Sequence, residues 1–529
     1  MGSLHTPAGK ILKIISLWIL ILQIKFPTMK YLLYFLFAAC LFTNPLLAIN
    51  YHVKPDGNDA NSGLSFAMAY KTIQTATNKA KAGDSILVYN GFYKGFDHFY
   101  KASGSPGKEI VYFAMGNAVV INQTCGRGFD GLNVEGSDYI EVNGFKVYAI
   151  ADASGSGEDG IRAVLANHIT VRNCTVDSCY RGIFTGYTDD FLAENNICKR
   201  SYGEHGIYVS NNSDRVIIRY NQCYNNKAAG IQLNPDLSSG APGISIDVKI
   251  YNNYCYNNRI GLNLQGIYYS EVYNNLLYNN GSGNGGNGIT LFHGDAATGC
   301  NHVKVFNNTV LVPAGSQWAI LAIESDSLFV MNNILLSASP KGSLDIESSC
   351  TNYFGDYNLL NDKMTINQGS SYINFANWQA LGHDAHSILI SNNNNVFLNA
   401  PANDFHLANN SPAWNAGSNL VSTLVQVDLD GRKRPQGSAF DIGCYEQAEA
   451  TRTKHFANNS DYIFIENENI LQIQSEEADL TADMFTFTGK YISSGAVFEK
   501  TNLPIGIYLF RIYDSKNKIL YGFKKILIK

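Results

Sequence analysis

The chain has 529 residues, of which 45% are hydrophobic and 16% are charged, and its formal net charge is -5. That length is ample to bury a core, and the small negative charge excludes a general attraction to nucleic acids or anionic membranes. We therefore expect a folded protein without a nucleic-acid partner.

The first 48 residues have the pattern of a leader rather than of a folded domain. Met29-Lys30 begins a short basic region, and a mostly apolar run follows from Tyr31 to Ala48. This order is typical of a secretory signal peptide, with cleavage near Ala48. We predict that residues 1–48 are an upstream extension and signal peptide. The mature protein should then be secreted or attached to the outer-membrane surface.

Residues 49–110 form the next predicted unit. A strand at 51–53 is followed by an amphipathic helix at 70–81 and a second strand at 83–88. The phrases at these positions resemble the N-terminal cap of many secreted right-handed parallel β-helix proteins. The resemblance implies that the helix covers the open end of the stacked strands, which would otherwise expose a sheet edge.

One short phrase then returns along the chain. It starts with Gly and an aliphatic residue at Gly160, Gly182, Gly206, Gly230, Gly261 and Gly288, and an asparagine recurs at Asn173, Asn196, Asn221, Asn253, Asn275, Asn308 and Asn333. A repeat of this length with strand-like content indicates a solenoid. We predict an all-β parallel β-helix over residues 111–449, and the resemblance of the preceding segment implies the right-handed, pectate-lyase-like form. The asparagine side chains should stack at one turn.

Two segments support the predicted ends of this solenoid. Residues 428–446 resemble the closing segment of many bacterial surface β-helix proteins, which implies that the β-helix extends to residue 449. Residues 450–529 end in two strand-like stretches, at 506–512 and 524–529, that resemble the C-terminal sorting domain of type IX secretion. That resemblance implies a small β-sandwich sorting domain and the type IX secretion machinery as a partner.

The outer face of the predicted strands carries the candidate binding residues. Successive strand residues alternate between core and surface, so the residue after each buried aliphatic should point outward. Sugar polymers require hydrogen bonds for their hydroxyls and aromatic rings for stacking, and these positions supply both. We therefore predict that a polysaccharide contacts Arg162, Tyr180, Phe184, Gln232, Asn234, Asn263, Gln265, Phe292 and His293.

The phrase Gly-Glu-His-Gly at 203–206 resembles the Gly-His-Gly motif of polygalacturonases, which are β-helix hydrolases. Two turns earlier, Asp159 stands in a phrase similar to their Asn-Thr-Asp motif. The intervening turn carries Tyr180-Arg181, where that family has an adjacent pair of aspartates. A glycoside hydrolase that uses Asp159 and Glu204 as its two carboxylates is therefore the alternative prediction.

Our first prediction is a lyase that cleaves a uronic-acid-containing polysaccharide by β-elimination. This chemistry requires a cation beside the uronate carboxylate and a base that removes the neighbouring proton. The predicted roles are Arg162 and Arg181 as cations, His205 as the base with help from Tyr208, and Glu204 or Asp159 as the group that orients the base.

Two further points stay open at the level of sequence. No cofactor is required for this chemistry, but a calcium ion held by Asp159, Glu204 and Asp236 is an alternative. A non-catalytic surface carbohydrate-binding protein or adhesin is a third function, because one solenoid scaffold can host all three. We expect the protein to be a monomer.

Overall fold

The computed structural model of this chain divides into two compact units, one up to Gln447 and one from Ala448 onward. The predicted leader lies outside the described residues. Within the described ranges, no helix is long and apolar enough to cross a membrane. The described residues are 48–150, 159–281, 285–294, 297–391, 395–447, 463–466, 470–474, 479–486, 490–499, 503–504, 506–516 and 520–528.

The first unit is a solenoid of three parallel sheets, and successive strands along the chain pass from sheet 1 to sheet 2 to sheet 3. Sheet 1 consists of Asn50–Val53, Ser85–Val88, Ile110–Ala114, Ile140–Asn143, Ile169–Arg172, Leu192–Glu194, Ile217–Arg219, Ser245–Ile246, Lys249–Tyr251, Ile267–Tyr268, Glu271–Tyr273, Asn301–Phe306, Asp326–Met331 and Phe354–Asp356. Sheet 2 consists of Gly91–Lys94, Val119–Gln123, Lys146–Tyr148, Thr175–Asp177, Ile197–Lys199, Gln222–Tyr224, Tyr254–Tyr256, Leu276–Tyr278, Thr309–Val312, Ile334–Ser337, Leu359–Leu360 and Ile388–Leu389.

Sheet 3 carries the repeated Gly-aliphatic phrase. It consists of Asp97–Phe99, Leu132–Glu135, Asp159–Val164, Arg181–Gly186, Ile207–Ser210, Ala229–Asn234, Ile260–Gln265, Ile289–Phe292, Trp318–Ile323, Gly342–Ile346 and Met364–Thr365. This arrangement confirms the predicted all-β parallel solenoid.

The repeated glycine is required by a close approach between neighbouring turns. A Cβ on Gly182 would lie 2.2 Å from the carbonyl oxygen of Gly206, and one on Gly206 would lie 2.7 Å from that of Gly230. Likewise, a Cβ on Gly230 would lie 2.9 Å from the carbonyl oxygen of Gly261, and one on Gly261 would lie 2.5 Å from that of Gly288. At these turns, a residue without a side chain allows the strands of sheet 3 to begin at this spacing, whereas the equivalent position in later turns is Ala319 and Ser343.

The asparagine repeat forms a buried ladder, as predicted. From Asn196 to Asn333, the side-chain nitrogen of each ladder asparagine donates to the side-chain oxygen of the ladder asparagine in the next turn. Asn173 was wrongly included: it donates instead to Asn143, and Cys174 stands in the ladder position. The sequence analysis missed a second ladder through Asn226, Asn258 and Asn280.

The ends of the solenoid differ in detail from the prediction. The first helix is Ile73–Thr77 rather than 70–81, and it begins at the capping residue Thr72. Its role as a cap stays a prediction. The last strand of the three sheets is Ile388–Leu389, so the β-helix ends well before residue 449.

Residues after that strand fold back along the solenoid instead of adding turns to it. They form the antiparallel pair Phe397–Asn399 and Asp404–Leu407, with short 3-10 helices at Ala400–Ala402 and Asn419–Val421. The helix Phe375–Ala380 lies before the last strand. Ile442 and Cys444 pack in one cluster with Ile334 and Leu359 of sheet 2. The closing segment therefore covers the side of earlier turns.

The second unit consists of antiparallel strands in the part that is described. One sheet contains Ile463–Glu466, Ile470–Gln474 and Val497–Glu499, and the other contains Leu480–Thr486, Tyr491–Gly495, Gly506–Asp514 and Leu520–Ile528. Buried Leu471, Met484, Phe498 and Phe510 belong to its core. Its predicted role in sorting stays a prediction.

Candidate functional site

The outward residues predicted for sheet 3 lie in one row across consecutive turns. Arg162 pairs in register with Phe184, Phe184 with Tyr208, Tyr208 with Gln232, and Gln232 with Asn263. Their inward neighbours Ile161, Ile183, Ile207, Ile231 and Leu262 are buried in the core. The parallel register therefore places residues from five separate turns side by side on the outer face.

An open cavity of about 350 Å³ lies on this face. It brings together seven of the residues predicted from the sequence, drawn from four successive turns. The cavity is lined by Arg181, Glu204, His205, Tyr208, Ala228, Ala229, Gln232, Asn234, Arg259, Ile260 and Asn263.

Arg181 is the centre of the polar contacts at one end of the cavity. Its Nε donates to Oδ1 of Asp159 at 2.6 Å, and its Nη1 lies 3.6 Å from Oε2 of Glu204. The guanidinium carbon lies 4.4 Å from the centre of the Phe184 ring. The hydroxyl of Tyr180 donates to Oε1 of Glu204 at 3.3 Å. The contacts fix the guanidinium in place and leave its charge largely balanced.

Gly203 is needed for this arrangement because the Tyr180 ring packs against its backbone. A Cβ at Gly203 would lie 2.2 Å from a ring carbon of Tyr180. The backbone nitrogens of Gly203 and Glu204 both donate to the carbonyl of Tyr180, at 3.1 and 2.9 Å. The first residue of the Gly-Glu-His-Gly phrase therefore positions Glu204.

Asp159 supports Arg181 and does not face the cavity. Its side chain is almost fully buried beside Arg181 and close to Asp130. Burial raises the pKa of Asp159, the Arg181 guanidinium opposes this rise, and the nearby Asp130 carboxylate adds to it, so that the pKa is about 7. Asp159 and Glu204 are therefore joined through Arg181. They do not form the pair of exposed carboxylates that the hydrolase alternative requires.

His205 is held in one tautomer by the following turn. The backbone N–H of Ala229 donates to Nδ1 of His205 at 3.1 Å, so that nitrogen has no proton and its lone pair is in use. The neutral ring then carries its proton on Nε2. Burial and the Arg181 guanidinium lower the pKa of His205 to about 3. In this tautomer neither ring nitrogen has a free lone pair, which argues against the predicted role of His205 as the base.

Tyr208 lies between the imidazole and the aromatic row. Its ring centre is 4.9 Å from that of His205 and 5.3 Å from that of Phe184. Its phenol interacts electrostatically with the Arg181 guanidinium. Tyr208 is therefore a phenol at the cavity surface with a cation beside it.

Several predicted binding residues lie outside the cavity. Nη1 of Arg162 donates to Asn133 and to Glu135, both at 2.6 Å, so this cation is already paired. Phe292 pairs in register with Gln265 on later turns. Nδ1 of the exposed His293 lies 2.6 Å from Oε2 of Glu324. Tyr180 reaches the cavity only through Glu204. Direct contact of these residues with a substrate stays a prediction.

The predicted calcium ligands do not fit a metal site. Asp159 and Glu204 contact the Arg181 guanidinium, and the Asp236 carboxylate accepts the N–H of Ser238 at 2.7 Å, where it caps the short helix Leu237–Ser239. Across the described ranges, no group of three or more His, Cys, Asp or Glu residues is arranged to hold a metal ion. We therefore derive no step through calcium.

The sequence analysis missed Arg259, although a signal was present. Arg259 stands two residues before the repeated Gly261, as Glu204 stands two residues before Gly206. Both positions lie where a strand of sheet 3 begins, and both residues line the cavity. Extending the comparison of these positions to every turn would have identified it.

Comparison with known proteins supports the fold assignment and leaves the activity open. The family described as right handed beta helix region matches residues 109–240. No curated protein matches the chain.

Three solved structures are similar to the chain at low identity. A pectate lyase, Pel9A, is 16% identical, with a TM-score of 0.47, and the match covers 77% of this chain and 98% of that one. XylC in complex with xylose is 11% identical, with a TM-score of 0.46 and coverage of 75% and 98%. A rhamnogalacturonan lyase is 13% identical, with a TM-score of 0.40 and coverage of 66% and 91%. The functional assignment therefore rests on the geometry of the cavity.

Proposed function

We propose that the protein is an extracellular lyase that cleaves a uronic-acid-containing polysaccharide by β-elimination. One observation carries the proposal: a phenol, an imidazole N–H, guanidinium groups and amides converge on one open cavity on the outer face of sheet 3. Among the described residues, Glu204 is the one carboxylate that lines this cavity.

The shape and the lining of the site suit a polymer of sugars. Gln232, Asn234 and Asn263 present side-chain amides from neighbouring turns, and Tyr208 adds an aromatic ring beside them. Amides both donate to and accept from hydroxyls, and aromatic rings stack on sugar faces. Because four successive turns line the cavity, a chain of sugars laid along the stack would contact all of them.

The charges favour elimination over hydrolysis. A typical glycoside hydrolase places two carboxyl groups about 5–10 Å apart on either side of the bond that breaks. In this site, Asp159 is buried against Arg181 and only Glu204 reaches the cavity. Elimination requires instead a base near the proton to be removed and donors that stabilise the charge on the uronate carboxylate.

We assign the base to Tyr208 rather than to His205, because Nδ1 of His205 already accepts a hydrogen bond and Nε2 carries the proton. The reaction requires the deprotonated form of Tyr208, whose oxygen takes the proton from C5 of the uronate. The electrons of that C–H bond form the C4–C5 double bond, and the C4–O glycosidic bond breaks. The departing oxygen receives the proton from the same phenol, which restores the phenolate. The Nε2–H of His205 donates to the substrate carboxylate while charge builds on it.

A panel of substrates tests this proposal. Purified protein is incubated with polyuronates, glycosaminoglycans and neutral glycans, and both the ultraviolet absorbance of an unsaturated uronate and new reducing ends are measured. We expect both signals from a uronate polymer and their loss in Tyr208→Phe. Reducing ends without absorbance would indicate a hydrolase. Binding without either product would indicate a carbohydrate-binding protein or adhesin.

The export route is a separate part of the proposal. The leader pattern of residues 1–48 and the resemblance of residues 450–529 to a sorting domain support secretion, or surface attachment, through type IX machinery. Processing at both ends of a monomeric protein would follow. Mass spectrometry of the protein recovered from outside the cell tests this directly, and an intact C-terminal unit on the exported form would contradict it.

A further inference from the structure

We infer that Arg259 binds the carboxylate of a uronate residue, and that Asn234 and Asn263 accept hydrogen bonds from the hydroxyls of the same stretch of substrate. This inference rests on the proposed function, and it assigns the acidic-sugar subsite to the turns that follow Tyr208. The two cations predicted from the sequence, Arg162 and Arg181, are each paired with a carboxylate of the protein.

Arg259 differs from the other arginines in its lack of an acidic partner. Ten other arginines lie in the described part of the chain, and each has a carboxylate within ion-pair distance. Across the same residues, Arg259 has no ion pair and no side-chain hydrogen bond, and it is exposed at the rim of the cavity. An unpaired guanidinium of this kind can bind a planar carboxylate through two parallel hydrogen bonds.

The backbone of Arg259 is fixed even though its side chain is free. Its N–H donates to the carbonyl of Ala228 at 2.9 Å. Its own carbonyl oxygen faces Gly286 so closely that a Cβ there would lie 1.6 Å from it. The adjacent Ile260 pairs in register with Ala229, whose N–H holds His205. The backbone that carries this unpaired cation is therefore fixed two turns beyond His205, the proposed donor to the substrate carboxylate.

The neighbouring amides have acceptor atoms without partners. Nδ2 of Asn263 donates to Oε1 of Gln232 at 2.6 Å, which turns Oδ1 of Asn263 away from that bond. Oδ1 of Asn263 and Oδ1 of Asn234 are both buried without a hydrogen-bond partner, and both residues line the cavity and are more than nine-tenths buried.

A buried acceptor without a donor is unfavourable by about 1–3 kcal/mol. Sugar hydroxyls would supply the missing donors. A cation next to two free acceptors is complementary to a residue that has both an anion and hydroxyls. That is the chemistry of an acidic sugar, and the proposed elimination requires the anion to be a carboxylate. A sulphated sugar has a similar chemistry, so the experiment includes one.

Binding measurements with two variants test the assignment. Isothermal titration calorimetry is carried out on wild type, Arg259→Gln and Arg259→Lys with three probes: an oligouronate, its carboxyl-reduced neutral form and a sulphated neutral oligosaccharide. A catalytically impaired Tyr208→Phe background prevents turnover. Arg200→Gln is the matched control, because Arg200 is also an exposed arginine but is paired with Asp177.

We expect Arg259→Gln to weaken oligouronate binding by about tenfold or more, the usual effect of losing a charge-assisted hydrogen bond. Arg259→Lys should weaken it less, because the charge remains and the paired geometry is lost. Affinity for the carboxyl-reduced probe should be unchanged within about twofold, and Arg200→Gln should match the parent protein.

The other outcomes separate the two proposals. If the wild-type protein cleaves uronates but Arg259→Gln leaves oligouronate affinity unchanged in the Tyr208→Phe background, only the role of Arg259 would be overturned. Equal weakening for the neutral probe would show a structural effect and would also overturn it. Selective loss for the sulphated probe alone would overturn the carboxylate assignment. A wild-type protein that neither binds nor cleaves uronates would overturn the proposed function together with this inference.

Discussion

Replacing Asn253 by alanine should destabilise the scaffold more than any exposed substitution on the same turn. Nδ2 of Asn253 donates to the carbonyls of Ile218 and Tyr251, at 2.9 and 3.1 Å, and to Oδ1 of Asn275 at 3.0 Å. Its Oδ1 accepts from the backbone and side-chain nitrogens of Asn221, both at 3.0 Å. Alanine removes all of these bonds and leaves the backbone N–H of Asn221 buried without an acceptor.

The magnitude follows from these bonds. A buried hydrogen bond contributes about 1 kcal/mol net, and a buried group left unpaired costs about 1–3 kcal/mol. The side chain donates two hydrogens and accepts two bonds, so with the unpaired N–H of Asn221 the loss in free energy of unfolding for Asn253→Ala should be about 5–7 kcal/mol. Guanidinium denaturation followed by circular dichroism measures this loss, and faster hydrogen exchange at the Asn221 amide locates it.

The exposed Gln222 in the adjacent strand of sheet 2 provides the control. Gln222→Ala should change stability by less than about 0.5 kcal/mol. A loss below about 1 kcal/mol in Asn253→Ala would refute the reasoning, because it would mean that water replaces the ladder bonds without penalty.

Three further predictions concern the cavity. Gly203→Ala should lower the initial cleavage rate by about a hundredfold, because the new Cβ displaces the Tyr180 ring and with it Glu204; a wild-type rate would contradict this. Removal of divalent ions with EDTA should leave the cleavage rate unchanged. A loss of activity that calcium restores would show that residues other than those predicted bind calcium. His205, whose pKa is lowered to about 3, should show no titration by nuclear magnetic resonance between about pH 5 and pH 8. An unfolded histidine binds a proton below about pH 6.5, whereas folded His205 does so only near pH 3. The free energy of unfolding should therefore fall as the pH is lowered from about 6.5 to 3, and this fall should be smaller in His205→Asn.

The sequence by itself determined the scaffold and the neighbours within the outer row. The repeated glycine marks where each turn of sheet 3 begins, and strand alternation then assigns Phe184, Tyr208 and Gln232 to the surface. Parallel stacking places equivalent positions of successive turns next to each other. For this reason, residues 24 positions apart in the sequence, such as Phe184 and Tyr208, could be predicted to be adjacent.

Only the tertiary structure decided what each of these side chains can do. The lone pair of His205 is taken by an N–H from the next turn, and Arg181 is balanced by Asp159 below it and Glu204 beside it. Among the described residues, Arg259 has no ion-pair partner. Register tells which residues are neighbours. Rotamers, burial and the choice of hydrogen-bond partner depend on packing in three dimensions, and they fix the protonation and the available charge on which the chemistry depends.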